Sequence, residues 1–321
     1  CDYAYVFGGD GQDNVTVDGY VLGTSRIELG AHNDSLKIGG DLEGSAKVNM
    51  GDGDNTIKIG GFVEYASQIT AGSGNDVLQV GAKLVGQAMV NLGDGNNTVQ
   101  LGGLLDNATL FTGSGQDTID LGQCFDGMTG KTAVSTGAGN DTITGSWGDD
   151  QIDAGGGNNR IDAGGGKNAV VAGAGDDTIT AGWGDDTIDA GNGANTVDAG
   201  GGTNHITTGS GSDAVRADGN NTIATGGGND QITTTWGADT IDAGAGDDII
   251  NAGGGGNTLR GGLGNDQFIS TDVDELDALL CAGYEQFFGT SVRPGSPERL
   301  FISWIEDAII YERALNNHAD N

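Results

Sequence analysis

A repeat of nine residues runs through the middle of the chain and restricts it to a small set of folds. From Gly137 to Ser270 the sequence divides into fifteen consecutive units such as GAGDDTITA and GWGDDTIDA, of which only the tenth, DGNNTIAT, is one residue short. Each unit begins with glycine or small residues, has Asp or Asn at its fifth position and has an aliphatic residue or Phe at its seventh. Such self-similarity is typical of solenoids, in which each unit packs only on its neighbours.

The apolar residue of each unit predicts a very short strand. One aliphatic side chain flanked by polar ones, as in Asp-Thr-Ile-Thr, points inward while its neighbours point outward. The glycine-rich half forms the turn, so two units make a flattened coil, and stacked coils give parallel strands. The absence of proline before Pro294 agrees with this, because proline would remove a ladder hydrogen bond. The predicted inward column is Ile143, Ile152, Ile161, Val170, Ile179, Ile188, Val197, Ile206, Val215, Ile223, Ile232, Ile241, Ile250, Leu259 and Phe268.

Residues 1–136 repeat on a longer period. Turns such as GDGDNTIKI begin at Gly9, Gly30, Gly51, Gly72, Gly93 and Gly113, at nearly equal intervals that slightly exceed two of the later units. Each turn is followed by Gly-Gly or a near equivalent and a second apolar strand, so only one side of each coil carries an Asp-type turn. We therefore predict three segments: wide coils over 1–136, narrow coils over 137–270 and a C-terminal segment over 271–321.

The charge balance points to cations as partners. The chain has 46 acidic residues against 13 basic ones and a formal charge of -33, which excludes nucleic acid and anionic membrane surfaces as direct partners. One aliphatic residue per nine is also a small core to set against the conformational entropy of an ordered chain. Something besides apolar burial must stabilise the folded state, and multivalent cations fit both observations.

The nine-residue units resemble the GGxGxDxUx nonapeptide of the RTX family, whose glycine-rich turns bind calcium in a parallel β-roll. The resemblance implies that motif Asp side chains from successive coils, together with turn carbonyls, hold Ca²⁺ between the coils. The wide coils are similar to the calcium-bound β-helices of RTX adhesins. We expect an all-β fold, a right-handed parallel β-solenoid of wide coils followed by a β-roll, with a short helical C-terminal segment.

The residues at the motif Asp position alternate between acid and amide. The resemblance implies at most about 19 calcium ions. Asn either keeps an oxygen ligand while halving the stacked negative charge, or is only a tolerated turn residue. The predicted metal ligands are Asp13, Asp34, Asn55, Asp76, Asn97, Asp117, Asp141, Asp150, Asn159, Asn168, Asp177, Asp186, Asn195, Asp213, Asp230, Asp239, Asp248, Asn257 and Asp266.

Two details of these columns remain open from the sequence. Asn204 and Asn221 are successive amides that span the shortened unit, so we expect a weak or empty site there. Where the wide-coil column has Asn55 and Asn97, the same turns contain Asp52 and Asp94. These two acids are either compensating ligands or plain surface acids.

The two ends of the chain give further expectations. Ser296 and Pro297 open the apolar stripe Leu300, Phe301, Trp304, Ile305, Ala308 and Ile309, which predicts an amphipathic helix that caps the solenoid. The resemblance also implies that a type I secretion signal lies in this segment. Only CDYAYVF precedes the first turn, so the first coil offers a nearly bare edge. Either a preceding domain was removed or the edge pairs head-to-tail with another copy, giving a filament or lattice.

Signals for catalysis are poor. The sequence contains no GxSxG, HExxH or P-loop motif, and Cys1, Cys124 and Cys281 form neither zinc spacing nor a disulfide framework. No long uninterrupted apolar run predicts a transmembrane helix. We therefore expect a protein that is not an enzyme.

The sequence predicts a secreted, calcium-dependent structural protein at the surface of a bacterium, assembling with itself into a filament or surface layer. The alternative is an adhesin segment of a larger RTX protein. It would bind cell-surface glycan through Trp147, Trp183 and Trp236, or bind ice through its outward threonines. A third possibility, the carrier region of an RTX protease or lipase, requires a catalytic domain upstream.

Overall fold

The structure, a computed structural model, describes residues 3–103, 105–122, 132–270, 278–279 and 308–311. These residues form parallel strands joined by turns and bends, and no helix occurs among them. The chain separates into two compact units, Cys1–Gly182 and Trp183–Asn321. The predicted parallel β-solenoid is therefore confirmed.

The described residues of the first unit form twenty strands, all of them short. They are β1 (Tyr5–Asp10), β2 (Asn14–Val17), β3 (Arg26–Ala31), β4 (Ser35–Ile38), β5 (Lys47–Asn49), β6 (Thr56–Ile59), β7 (Gln68–Thr70), β8 (Val77–Val80), β9 (Leu84–Val85), β10 (Met89–Asn91), β11 (Thr98–Leu101), β12 (Leu105–Asp106), β13 (Thr109–Phe111), β14 (Thr118–Asp120), β15 (Thr132–Ser135), β16 (Thr142–Ser146), β17 (Asp150–Asp153), β18 (Arg160–Gly164), β19 (Ala169–Val171) and β20 (Thr178–Thr180).

These strands form two long parallel sheets and one short sheet. One long sheet has the order β1-β3-β5-β7-β10-β13-β15-β17-β19, the other has β2-β4-β6-β8-β11-β14-β16-β18-β20, and β9 pairs with β12. Ile57 pairs with Leu78, the equivalent residue one long period later, whereas Ile143 pairs with Ile161, two of the shorter units later. Both predicted periods therefore set the strand register.

In the part of the second unit that the structure describes, there are twelve strands. They are β21 (Thr187–Asp189), β22 (Thr196–Gly202), β23 (His205–Thr207), β24 (Ala214–Gly219), β25 (Thr222–Ala224), β26 (Gln231–Thr234), β27 (Thr240–Ala245), β28 (Ile249–Gly253), β29 (Thr258–Leu263), β30 (Asp266–Ser270), β31 (Ala278–Leu279) and β32 (Ala308–Tyr311). The odd-numbered strands form one parallel sheet and the even-numbered strands the other. Across the shortened unit, Ile206 still pairs with its equivalent Ile223, so the deletion is absorbed without loss of register.

The core is a set of ladders in which like residues stack on one another. In the wide coils Val48 pairs with Ile69, and Val90 pairs with Ile69 from the other side. All fifteen predicted inward residues of the nine-residue units are buried, which confirms that column. Alanine fills the next inward position in many units, for example Ala163 and Ala199.

Glycine is required in the turns for two separate reasons. Gly93 and Gly95 have φ angles of 78° and 129°, in the left-handed region that side chains other than glycine rarely adopt. A Cβ on Gly95 would also lie 1.9 Å from the carbonyl oxygen of Gly74 in the preceding coil. The close stacking of turn on turn therefore depends on residues without side chains.

The predicted C-terminal helix lies largely outside the described residues. Its last two stripe positions, Ala308 and Ile309, are instead part of β32, which pairs in parallel with β30. The open edge of a sheet offers unpaired N–H and C=O groups, and the sequence Ala-Ile-Ile-Tyr is rich in good strand formers. At these residues edge pairing therefore takes precedence over the helical pattern.

Candidate metal site in the turns

The Asp or Asn of each turn points into the protein. Asp34, Asn55, Asp76 and Asn97 are at most 2% exposed, and the same holds throughout the nine-residue units; Asp13, in the first coil, is half-buried. Acidic side chains are rarely buried this completely unless they are paired. The fold therefore brings the predicted ligands together in columns beneath the turns.

One oxygen of each buried side chain is held by a ladder of hydrogen bonds. The backbone N–H of Asp34 donates to Oδ1 of Asn55 at 3.0 Å, and that of Asn55 donates to Oδ1 of Asp76 at 2.9 Å. The second unit repeats the pattern, with the N–H of Asn195 donating to Oδ1 of Asp213 at 2.8 Å. Each coil thus orients the acid or amide of the next coil.

The second carboxylate oxygen has no such partner in many of the Asp turns. A buried acceptor without a donor is unfavourable, and an unpaired buried charge is more so. Desolvation accordingly raises the pKa of Asp76 and Asp248 to about 6, although hydrogen bonds to these carboxylates act in the opposite direction. The buried Oδ2 atoms that receive no hydrogen bond are those of Asp34, Asp76, Asp141, Asp230, Asp239 and Asp248.

Backbone carbonyl oxygens surround the position of the second side-chain atom, which is Oδ2 in Asp and Nδ2 in Asn. In the Asn97 turn, Nδ2 lies 3.0 Å from the carbonyl oxygen of Gly93 and 3.1 Å from that of Gly95. Gly113 and Gly115, in the Asp117 turn, have φ angles of 77° and 135°, close to those of Gly93 and Gly95. The Asp turns thus present the same carbonyls to a carboxylate, and such all-oxygen surroundings suit a hard cation.

The comparison with protein families identifies the cation. The family model described as RTX calcium-binding nonapeptide repeat (4 copies) matches residues 126–161, 162–197, 180–215, 198–232, 215–250 and 233–268. The matched residues, 126–268, make up a little under half of the chain. Calcium is the ion that such repeats bind, and the carbonyl and carboxylate oxygens of these turns fit it.

No curated protein matches this chain. Among solved structures, it is similar to one described as a hyperactive, Ca²⁺-dependent, beta-helical antifreeze protein from an Antarctic bacterium. The two are 21% identical, the similarity covers 83% of this chain and 84% of the other, and the TM-score is 0.38.

Among the described residues, no group of three or more His, Cys, Asp or Glu side chains gathers as a metal cluster. Nor do these residues contain a helix with the length and hydrophobicity that spanning a bilayer requires.

Asp117 and Asp150 each receive a hydroxyl donor that the sequence analysis missed. Thr112 Oγ1 donates to Oδ2 of Asp117 at 2.7 Å. Ser146 donates to the carboxylate of Asp150 through its backbone N–H at 2.8 Å and through Oγ at 3.1 Å. A hydroxyl residue four or five positions before the Asp is not a sufficient signal for this contact, because Thr136, five positions before Asp141, donates instead to the carbonyl oxygen of Ala154.

The structure also decides the role of the extra acids in the wide coils. Asp52 is exposed, and its Oδ1 accepts hydrogen bonds from the backbone N–H and Oγ of Ser73 at 2.9 and 3.0 Å. Asp94 makes the same two contacts with Ser114. These bonds lower the pKa of both carboxyl groups. Both are surface acids that bind the next coil from outside, away from the buried column.

The Asn204 turn has no buried acid facing it from the next coil. Asn204 Nδ2 donates to Oδ1 of Asn221 at 3.0 Å, and Asn221 Nδ2 donates in turn to Oδ1 of Asp239 at 3.0 Å. Both asparagine side chains are about 2% exposed. The expectation of a weak or empty calcium site at this step is consistent with that contact and stays a prediction.

Proposed function

We propose that this chain is a secreted structural protein whose solenoid is stabilised by calcium. The observation that carries the proposal is the set of buried Oδ2 atoms without donors, because they leave negative charge inside the fold that a bound cation would neutralise. The proposed carboxylate ligands are Asp13, Asp34, Asp76, Asp117, Asp141, Asp150, Asp177, Asp186, Asp213, Asp230, Asp239, Asp248 and Asp266.

Different groups in each turn have different roles in binding calcium. The ladder N–H fixes one carboxylate oxygen, the glycines allow carbonyls to converge, and the neighbouring coils exclude water. When bound, Ca²⁺ supplies the positive charge that holds adjacent turns together. Calcium modules of extracellular proteins typically work at about 10⁻⁴–10⁻³ M. Folding would therefore be coupled to export from the cytoplasm, which agrees with the secretion by bacteria that is typical of RTX proteins.

We further propose that the folded chain assembles with other copies into a filament or surface layer. Support comes from the first coil, where Tyr5 and Phe7 are 62% and 66% exposed and their rings stack at 6.4 Å. Exposed aromatic side chains on an otherwise polar, acidic protein mark contact surfaces. Calcium would also reduce the charge repulsion between copies.

An adhesin is the second candidate, favoured by the tryptophans at the turn tips. Trp183 and Trp236 are 75% and 73% exposed. A Cβ on Gly201 would lie 3.0 Å from the Trp183 ring, so this ring covers the glycine of the next coil and exposes its other side. A flat exposed aromatic face is suited to a sugar ring.

Ice binding has less support among the adhesin functions. In the second unit, Thr187, His205, Thr222, Thr240 and Thr258 form one outward row. The next outward row is Asp189, Thr207, Ala224, Asp242 and Arg260. Charged side chains interrupt the flat threonine surface that ice binding would require.

Circular dichroism and negative-stain electron microscopy on the same samples, first in EDTA and then in millimolar calcium, test these proposals. Structural assembly predicts a β signal that calcium induces, together with ordered filaments or sheets. Separate short rods that bind a glycan array would favour the adhesin. A β signal that EDTA leaves unchanged would contradict the calcium mechanism itself.

A further inference from the structure

Two successive wide-coil turns differ in one side-chain atom and so form a natural comparison. Asp76 and Asn97 occupy the same position in their coils, and both are fully buried. Asp76 Oδ1 accepts the N–H of Asn55 at 2.9 Å, and Asn97 Oδ1 accepts the N–H of Asp76 at 2.9 Å. Because the first atom is held in the same way, Oδ2 of Asp76 and Nδ2 of Asn97 occupy equivalent places.

The amide nitrogen of Asn97 lies among three carbonyl oxygens. Gly93, Gly95 and Thr112 accept from it at 3.0, 3.1 and 2.8 Å. The two glycines belong to its own turn, whereas Thr112 belongs to the next coil, so the amide joins two coils. Oδ2 of Asp76, in contrast, receives no hydrogen bond.

The same arrangement recurs in both units. In the second unit, Asn195 Nδ2 lies 3.3, 3.1 and 3.4 Å from the carbonyl oxygens of Gly191, Gly193 and Thr208. In the first unit, Asn159 Nδ2 donates to Gly157 and Ala172, both at 3.1 Å. Contact between the amide nitrogen and carbonyl oxygens is thus found in coils of both widths.

The hydrogen-bond partners also fix the orientation of the amide. Oδ1 faces a backbone N–H and Nδ2 faces carbonyl oxygens, so a flipped amide would place donor against donor and acceptor against acceptor. The carbonyls therefore meet two N–H bonds, which carry partial positive charge toward them. A cation cannot enter this place without displacing the amide and facing its hydrogens.

We propose that the asparagines of the turn columns replace calcium, so that their turns are closed without metal and calcium is confined to the aspartate turns. This inference rests on the proposed function, in that the Asp turns bind Ca²⁺. It departs from the expectation that Asn keeps a ligand role. Of the nineteen predicted positions, thirteen are Asp, so the chain binds at most thirteen ions in these columns. The six amide positions are Asn55, Asn97, Asn159, Asn168, Asn195 and Asn257.

The first test counts bound calcium in the full chain by equilibrium dialysis in millimolar calcium, with metal analysis by atomic emission. We expect no more than thirteen ions in the wild-type protein. Asp76→Asn should lose one ion. Asn97→Asp should gain one. Asn96→Asp is the matched control, because this exposed neighbour keeps its acceptor for the N–H of Gln116 and adds the same charge without entering the buried column.

The second test measures the midpoint of thermal unfolding in EDTA. This midpoint depends on hydrogen bonding in the metal-free turns, so it distinguishes variants whose calcium counts are close. Asp76→Asn should raise the midpoint, because the amide nitrogen donates where the carboxylate oxygen has no donor, and Asn97→Asp should lower it for the same reason. Asn159→Asp provides a second site if Asn97→Asp does not fold. A wild-type count near nineteen, or equal counts for Asn97→Asp and Asn96→Asp, would overturn the inference while leaving calcium binding intact. A chain that binds no calcium and folds fully in EDTA would instead contradict the proposed function.

Discussion

The wide coils of residues 1–136 and the narrow coils of residues 137–270 achieve the same stacking by different means. From Leu36 to Met50 the wide coil buries Leu36, Ile38, Leu42, Ala46, Val48 and Met50, whereas the narrow coil from Ile188 buries only Ile188, Ala190, Val197 and Ala199. The narrow coils instead have two Asp-type turns per coil against one in the wide coils. Apolar burial is thus the larger contribution in one region, and the polar turns in the other.

Removal of calcium should separate the two regions most strongly. In EDTA we expect backbone amides of residues 137–270 to lose protection from hydrogen exchange, because their small core cannot offset the unneutralised carboxylates. Amides of residues 26–101 should keep much of theirs. Hydrogen exchange followed by mass spectrometry on the full chain measures both regions in one sample. Equal loss of protection throughout would mean that the larger core of the wide coils gives them no independence from metal.

A cavity in the core of the wide coils should make the folding of these coils depend on calcium. Leu78 is fully buried, and Leu78→Ala should lower the free energy of unfolding by about 2–5 kcal/mol. Urea denaturation in EDTA is the measurement, since the wide coils then dominate the signal. Leu263→Ala serves as the control, because Leu263 is 72% exposed and its truncation should leave the midpoint almost unchanged.

Overfilling the narrow core should be the next largest effect. Ala163 is fully buried at the second inward position of a narrow coil, two residues after the buried Ile161. Ala163→Leu should therefore destabilise the protein by about 1–3 kcal/mol through strain. Thermal unfolding in millimolar calcium is the measurement. An unchanged midpoint would show that the narrow coil can widen, and that its small residues are unrelated to coil width.

A smaller effect of pH should distinguish metal-free from calcium-bound protein. Burial raises the pKa of Asp76 and Asp248 to about 6 in the folded chain from a model-peptide value of 3.8, so the folded state binds more protons than the unfolded state between these values. In EDTA the β signal in circular dichroism should therefore increase as the pH falls from 7 toward 5. In calcium it should decrease, because protons compete with the ion. The same direction in both solutions would contradict this assignment.

Much of this architecture could be predicted from local pattern. A repeat of fixed length decides which residues stack, so Ile143 and Ile161 are paired once the period is known, and the buried column follows from the single apolar residue in each unit. The pattern also placed Asp76 and Asn97 at the same position in their respective coils. It could not decide whether Asp52 turns inward or outward, because that depends on the serine of the next coil.

The sequence by itself therefore determined the period, the parallel register, the inward column and the calcium-binding repeat class. The tertiary structure alone decided which side-chain atoms are satisfied: Asn97 donates to three carbonyls, Asp76 keeps an oxygen without a donor, and Ala308 and Ile309 join a strand in place of the predicted helix. The physical reason is that spacing fixes which residues are neighbours. Hydrogen bonding depends on the directions of the backbone N–H and C=O groups in the adjoining coil. Because these groups are common to the residue types, the sequence alone does not show their directions.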